Sequence, residues 1–307
     1  MYDEIFNYAK KRKKNITFAL MKYHLMAVFC ILVWGTTFVS TKILLLSGLS
    51  PTGIFFCRFS LAYVAIWFFS PKRLFSASWK DELLLLGLGL TGGSFYYLTE
   101  NTALEITYVN NVALLVCTAP LLTALLSHLF VKGERLRKNL IYGSLLALFG
   151  TALVIFNGNF ILKSNPLGDL LSISAAFLWA IYTTILKRLD SRYSVVFITR
   201  KVFFYGLLTI LPFFLFSPVK MDTSILFQPK VIANLLFLGL FASMLCYVLW
   251  NQALKNLGAI RTSNYIYFNP VVTLITSYLV LQERITFVAM GGALLILGGI
   301  FLAERRK

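Results

Sequence analysis

The sequence predicts an all-α integral membrane protein with ten transmembrane helices, arranged as two inverted five-helix repeats. Three observations lead to this prediction. Of the 307 residues, 58% are hydrophobic and only 13% are charged, too few polar side chains to cover a soluble domain. Apolar stretches close to the roughly 20 residues that a helix needs to cross a bilayer recur along the chain. Finally, much of the first half is repeated about 150 residues later.

The predicted spans follow from the apolar stretches. They are 24–46, 51–69, 83–100, 107–131, 140–156, 167–186, 195–216, 231–254, 260–281 and 287–303. The second and seventh windows are the least apolar, because they contain Arg58 and the pair Arg200-Lys201. The polar, basic residues 1–23 hold no apolar stretch long enough for a signal peptide, so we expect the first span to be an uncleaved anchor.

The duplication relates residues 86–153 to a second copy. Matched residues include Gly89/Gly239, Tyr97/Tyr247, Asn101/Asn251, Pro120/Pro270, Thr123/Thr273, Ser127/Ser277 and, after the loss of one residue, Glu134/Glu283, Gly143/Gly292 and Gly150/Gly299. We expect a first repeat at 24–156, a linker at 157–166, a second repeat at 167–303 and a basic tail at 304–307. Because five spans is an odd number, the second repeat would enter the membrane from the opposite side, as in many secondary transporters.

The distribution of basic residues predicts the orientation. With a cytosolic N-terminus, nearly all Lys and Arg residues outside the spans fall on the cytosolic side; the exceptions are Lys163, Lys220, Lys230 and Arg284. This imbalance follows the positive-inside rule. We therefore expect both termini in the cytoplasm of a bacterial inner (plasma) membrane, with Glu134 and Glu283 on opposite sides. The basic cluster at 10–14 would contact anionic lipid, and we expect no nucleic-acid partner.

Two prolines predict helix breaks. Pro120 and Pro270 lie near the middle of spans four and nine, where a missing N–H would leave the carbonyls of Val116 and Ile266 without helical donors. Such breaks can offer polar backbone groups to a solute inside the membrane. A kink that serves only helix packing is the alternative.

Rings and amides form a second predicted group. Tyr97 and Asn101 share a helix face, as do Tyr247 and Asn251 in the other repeat. The predicted substrate-binding residues are Trp34, Tyr97, Asn101, Trp179, Tyr247, Asn251 and Asn269. Aromatic faces and amides suit a small zwitterion or an amphipathic cation. Interfacial rings, and a helix-capping role for Asn101, would explain the same residues.

Charge is costly inside a membrane, and the functional candidates among the ionisable residues of the spans are Lys42, Arg58 and Glu100. We expect Lys42 and Glu100 to reach toward the external interface. Arg58 lies roughly 10 Å deep, so we expect it to pair with Glu100 or a helix-end carbonyl and to help close an outer gate. No other acid lies deep in a span, so a proton-coupled mechanism has Glu100 as its carrier or has none. The four cysteines fall singly within spans and no acid/base or metal motif is present in the sequence, so we expect no catalytic residue, metal or cofactor.

Several motifs together resemble the EamA-type drug/metabolite transporters. They are Trp34-Gly35-Thr36-Thr37-Phe38, Arg58-Phe59 with Ala62, Asn101-Ala103-Leu104, and Pro120 with Glu134, Gly143 and Gly150, echoed by Trp179-Ala180, Asn251-Gln252-Ala253-Leu254, Pro270, Glu283, Gly292 and Gly299. The resemblance covers 24–303. It implies a central cavity open to one side, lined by spans one, three, four, six, eight and nine, and export or exchange of small metabolites such as amino acids.

We therefore expect a secondary transporter that works by alternating access, as a monomer or homodimer, on a small-molecule substrate. A channel-like facilitator is one alternative. A sugar-phosphate or nucleotide-sugar carrier is another, disfavoured because only Lys42 and Arg58 would supply cations to the cavity. An integral membrane enzyme would need a catalytic constellation that the sequence does not show.

Overall fold

The computed structural model describes residues 2–69, 74–107, 109–131, 136–156, 165–189, 191–216, 223–281 and 286–305. Within these ranges the chain is helical and contains no strand. The α-helices are α1 (Tyr2–Leu46), α2 (Pro51–Ile66), α3 (Trp79–Gly89), α4 (Phe95–Ile106), α5 (Val109–Val116), α6 (Ala119–Phe130), α7 (Lys138–Phe156), α8 (Pro166–Leu189), α9 (Val195–Ile210), α10 (Phe213–Phe216), α11 (Thr223–Leu226), α12 (Pro229–Leu236), α13 (Cys246–Leu257), α14 (Ala259–Ser263), α15 (Asn269–Leu281) and α16 (Phe287–Glu304). Two π-helical segments, Leu90–Ser94 and Phe237–Leu245, and a 3₁₀ segment, Asn264–Phe268, join neighbouring helices.

Six stretches of the described chain are long and apolar enough to cross a membrane. They are Leu20–Leu46, Asn111–Phe130, Lys138–Phe156, Pro166–Leu189, Val195–Leu215 and Pro229–Leu257, and two shorter apolar helices cover Pro51–Ile66 and Phe287–Ala303. Large apolar side chains such as Leu129, Phe149 and Phe301 are exposed on the outside of the bundle. Such a surface is suited to lipid rather than water. The count of ten spans and their inversion stay predictions. Glu134, Glu283, Lys163, Lys220, Arg284 and residues 157–164 lie outside the described residues.

Glycines allow α7 and α16 to approach each other closely. A Cβ atom on Gly143 would lie 2.4 Å from the carbonyl oxygen of Gly299, and one on Gly150 would lie 2.6 Å from that of Gly292. Neither position can hold a larger side chain without separating the helices. Because the earlier glycine of α7 faces the later glycine of α16, the two helices are antiparallel.

Two further glycines bring helices of the first half onto helices of the second. A Cβ on Gly89 of α3 would lie 2.3 Å from Cβ of Tyr205 on α9. Its sequence counterpart, Gly239, would place a Cβ 2.7 Å from Cβ of Leu61 on α2. The two halves therefore interlock, and neither forms a separate core.

The helices are interrupted at matching positions of the repeats. The π-helical segments 90–94 and 237–245 overlap when shifted by the repeat offset, and Gly93 has non-helical angles of φ −127° and ψ −109°. A turn at 117–118 and the 3₁₀ segment interrupt the other pair, directly before Pro120 and Pro270. The carbonyl of Ile266 accepts the backbone N–H of Asn269 instead of a helical donor. The Ile266 carbonyl therefore has a backbone partner, although Pro270 cannot supply the usual helical donor.

Candidate functional site

A small pocket lies beside these interruptions. Its volume is about 40 Å³. The lining residues are Trp34, Thr37, Phe38, Arg58, Tyr96, Tyr97, Glu100, Val116, Ala119, Trp179, Ile266 and Asn269. This volume holds about three water molecules, whereas sites for small organic ligands usually measure roughly 300–1,000 Å³. In this conformation the pocket is therefore smaller than a usual metabolite site.

Aromatic rings form one wall of the pocket. Trp34 and Trp179 meet edge to face, with ring centroids 5.5 Å apart, although they lie in opposite halves of the sequence. The indole N–H of Trp34 donates to the carbonyl of Ala242 over 2.9 Å, which fixes its ring. Tyr96 packs on Trp179 with a centroid distance of 5.3 Å. Rings held in this way present fixed faces that can attract a cation.

Tyr97 and Tyr247, which the duplication pairs, also meet. The Tyr247 hydroxyl donates to the carbonyl of Gly92 over 2.6 Å and lies 3.3 Å from the Tyr97 hydroxyl. Gly92 belongs to a π-helical segment, where the helix is wider and a carbonyl can turn toward a side chain. Tyr97 lines the pocket, whereas Tyr247 is buried behind the lining.

Two opposite charges line the same cavity. Arg58 is 2% exposed, donates from Nε to the Ser243 hydroxyl over 3.0 Å, and holds its guanidinium carbon 4.3 Å from the centre of the Tyr97 ring. Glu100 is 8% exposed and accepts a hydrogen bond of 2.7 Å from the Tyr96 hydroxyl.

This geometry differs from the prediction for Arg58 and Glu100. Their described contacts include no direct ion pair: Arg58 donates to Ser243, and Glu100 accepts from Tyr96. Glu100 also does not reach outward to the membrane interface, since Tyr96 lies one helical turn earlier and holds the carboxyl group inside the bundle.

Lys42 is partly exposed and binds the end of a neighbouring helix. Its ammonium donates to the carbonyl of Leu104 over 2.6 Å, in the last turn of α4. Cations stabilise helix C-termini, because the last carbonyls lack intrahelical donors and carry the negative end of the dipole. Lys42 does not line the pocket.

The structure does not bring the two paired amides to the pocket. Asn101 donates to the carbonyl of Pro51 over 3.2 Å, which ties α4 to α2. Asn251 accepts from the Tyr182 hydroxyl over 2.8 Å and donates to the Thr199 hydroxyl over 3.0 Å. In each half the amide thus joins neighbouring helices. Of the three predicted amides, Asn269 alone lines the pocket.

The lining also differs from the expected set of spans. Arg58 brings α2 into the wall, whereas α13 contributes no lining residue among those described. Six further lining residues were not predicted to bind substrate, although each lies within four residues of a predicted position: Thr37, Phe38, Tyr96, Val116, Ala119 and Ile266. Pro120 and Pro270 are buried, and each directly follows a lining residue in the sequence, Ala119 and Asn269 respectively.

Apolar helices around an internal pocket with rings and opposite charges define a multi-pass membrane protein of the transporter class. The EamA-like transporter family model matches residues 21–156 and again residues 166–304, and the chain belongs to this family. It is similar to an "Uncharacterized transporter" of Archaeoglobus fulgidus, with 30% identity over 290 residues that cover 93% of this chain and 98% of the relative.

A second relative has a more informative name. A "Probable amino-acid metabolite efflux pump" of Escherichia coli is 29% identical over 287 residues, which cover 90% of this chain and 93% of the pump. A solved crystal structure superposes with a TM-score of 0.74 at 20% identity, covering 92% of this chain and 96% of that one. At this identity the superposition shows a shared fold.

Proposed function

We propose that the chain is a secondary carrier that exports or exchanges small zwitterionic metabolites such as amino acids. One observation carries this proposal: Arg58 and Glu100, of opposite charge, line a single cavity that is walled by Trp34 and Trp179. The name of the pump in Escherichia coli supports the same substrate class.

The proposed binding mode uses both charges. A substrate carboxylate would meet the guanidinium of Arg58, which has several N–H donors besides the one given to Ser243. The substrate ammonium would meet Glu100 and the faces of Trp34 and Trp179. A sugar phosphate fits less well, because Glu100 would repel it and Arg58 is the single cation in the lining of the described pocket. Glu100 is also the candidate carrier for a coupling proton.

The proposal includes ten spans in two inverted repeats, with both termini in the cytoplasm of a bacterial inner membrane. The glycine contacts support it, because Gly143 touches Gly299 while their sequence counterparts, Gly292 and Gly150, touch each other. A twofold axis in the membrane plane would exchange these two contacts. A residue that touches its own counterpart must lie close to such an axis, as Trp34 and Trp179 do, so the axis would pass beside the pocket.

The size of the cavity supports alternating access as the mechanism. Because about 40 Å³ is too small for an amino acid, the pocket would have to open first to one side and then to the other. The repeat boundaries at 24–156 and 167–303 would mark the two bodies that rock against each other. The glycine face of α7 is covered by α16 of the same chain, so a homodimer would need another surface.

Transport by purified protein in liposomes tests the proposal. We expect saturable uptake of a labelled amino acid, accelerated by unlabelled substrate on the opposite side, whereas a channel would show no such counterflow. Arg58→Ala and Glu100→Gln should each reduce uptake at least tenfold. Lys42→Met is the matched control, since it removes another cation within the spans that does not line the pocket. Normal uptake by a well-expressed Arg58→Ala variant would refute the binding mode.

A further inference from the structure

Three helical segments lead away from the pocket on the same side. α6 starts at the lining residue Ala119, α8 continues from Trp179, and the 3₁₀ segment with α14 runs backward along the chain from Asn269. These segments pack on one another, α6 against both α8 and α14. By contrast, α5 and α15, the counterparts of α14 and α6 in the repeat, touch each other less.

Hydroxyl groups are buried along these segments. Thr123 and Ser127 follow Ala119 on the buried face of α6, Thr183 follows Trp179 by one turn, and Thr262 and Ser263 end α14. All five residues have no exposed surface, and their hydroxyls have no hydrogen-bond partner within the described chain. The side-chain oxygen of Asn264, between Ser263 and the pocket residue Asn269, is likewise buried without a partner.

These hydroxyls differ from many other helical Ser and Thr hydroxyls of the described chain. Such hydroxyls commonly donate to a carbonyl one turn earlier, as Thr184 does to Ala180 over 2.8 Å. Thr273, the sequence counterpart of Thr123, donates to the carbonyl of Gly35 over 2.7 Å. A buried polar group without a partner is unfavourable, so several of them together indicate a surface that is hydrated in another conformation.

The hydroxyls extend the pocket toward one side of the bundle. From Ala119 to Ser127, eight residues of α-helix at about 1.5 Å each span roughly 12 Å. From Asn269 back to Thr262, the 3₁₀ segment and α14 span roughly 13 Å. This side leads to the loop after α6, which the charge distribution predicts to be cytosolic.

We infer that this hydroxyl strip, defined by Thr123, Ser127, Thr183, Thr262, Ser263 and Asn264, is the cytosolic half of the substrate path, closed here by the packing of α6 on α14 and α8. The inference rests on the proposed transport function. When α6 and α14 separate, the hydroxyls gain water and the polar groups of the solute as partners. They therefore favour opening and replace part of the hydration that the solute loses.

Cysteine accessibility tests the strip in the transporting protein. Ser263→Cys, in a variant whose four native cysteines are replaced, should react with a membrane-impermeant methanethiosulfonate added on the cytosolic side during turnover. Thr151→Cys is the matched control, since Thr151 is also fully buried without a hydrogen-bond partner but lies on α7, beside the contact with α16. Equal reactivity of both cysteines, or reaction of Ser263→Cys only from the external side, would overturn the inference.

Transport rates give a second test that needs no labelling. The isosteric Thr123→Val change, combined with Ser127→Ala, should lower uptake roughly tenfold while leaving the closed conformation folded, because it removes hydroxyls that have no partner there. Thr151→Val should keep wild-type uptake. Normal uptake by the double variant would contradict the proposed role of the hydroxyl strip. If that uptake still depends on Arg58, the proposed function would remain supported. Absence of uptake by the wild-type protein would instead reject the proposed function.

Discussion

The close approach of α7 and α16 yields a stability prediction with an internal control. Gly298 and Gly299 are neighbours on α16. A Cβ on Gly299 would lie 2.5 Å from the carbonyl oxygen of Gly143 and 2.6 Å from the backbone nitrogen of Ala147, whereas a Cβ on Gly298 would meet nothing within 4 Å. The same substitution, Gly→Ala, should therefore have opposite effects at adjacent positions.

The size of the effect follows from the contact distances. To bring the new Cβ of Gly299→Ala from 2.5 Å to the 3.4 Å of ordinary contact, the backbones must part by roughly 0.9 Å. Overpacking of this kind costs about 1–3 kcal/mol, and the gain in helix propensity returns about 0.5–1 kcal/mol. Gly299→Ala should thus destabilise the protein by up to about 2.5 kcal/mol. Gly298→Ala should stabilise it by up to about 1 kcal/mol.

Thermal unfolding of the purified variants in one detergent measures this difference. We expect the midpoint temperature of Gly298→Ala to equal or exceed that of the wild type, and that of Gly299→Ala to fall below both. Gly150→Ala should behave like Gly299→Ala, because its Cβ would lie 2.6 Å from the carbonyl oxygen of Gly292. Indistinguishable midpoints for Gly298→Ala and Gly299→Ala would refute the close contact and, with it, the main support for the inverted arrangement.

Three other substitutions give separate tests. Glu82→Gln should lower stability by about 3 kcal/mol in the same unfolding assay, because it leaves the buried ammonium of Lys201 without its ion pair; recovery in a variant that also carries Lys201→Met would identify the pair as the cause. Asn251→Leu should cost about 1–3 kcal/mol of stability, because it removes the hydrogen bonds to Tyr182 and Thr199, without raising the KM for substrate. A raised KM would indicate that Asn251 contacts the substrate. Trp34→Phe should transport better than Trp34→Ala, since it loses the hydrogen bond to Ala242 but keeps a ring in the pocket wall; equal transport would exclude a role for the ring.

The pocket shows how far neighbouring residues on one helix can differ in role. Glu100 and Asn101 are adjacent, so their side chains point about 100° apart around the helix. The sequence identified both as candidates but could not tell which of them faces the cavity. In the structure Glu100 lines the pocket, whereas Asn101 points away and binds the carbonyl of Pro51. Rotation of a helix about its axis is set by its neighbours, which local sequence does not specify.

Other features had no signal in the local sequence. The paired π-helical segments do not follow from the glycines near 90–94, because Phe237–Leu245 contains a single glycine and is widened in the same way. The predicted pairing of Arg58 with Glu100 came from charge and depth alone. It overlooked Ser243, which reaches Arg58 from the other half of the chain.

Composition and local pattern were sufficient to determine that the chain is helical, suited to lipid, internally duplicated and a member of the EamA-like transporter family. These properties depend on composition and on patterns along the chain, so they can be derived without coordinates. The tertiary structure decided which side chains meet: Trp34 with Trp179, Gly143 with Gly299, and two opposite charges in one cavity. Such contacts depend on how distant helices rotate and pack against one another, and only their mutual packing fixes that rotation.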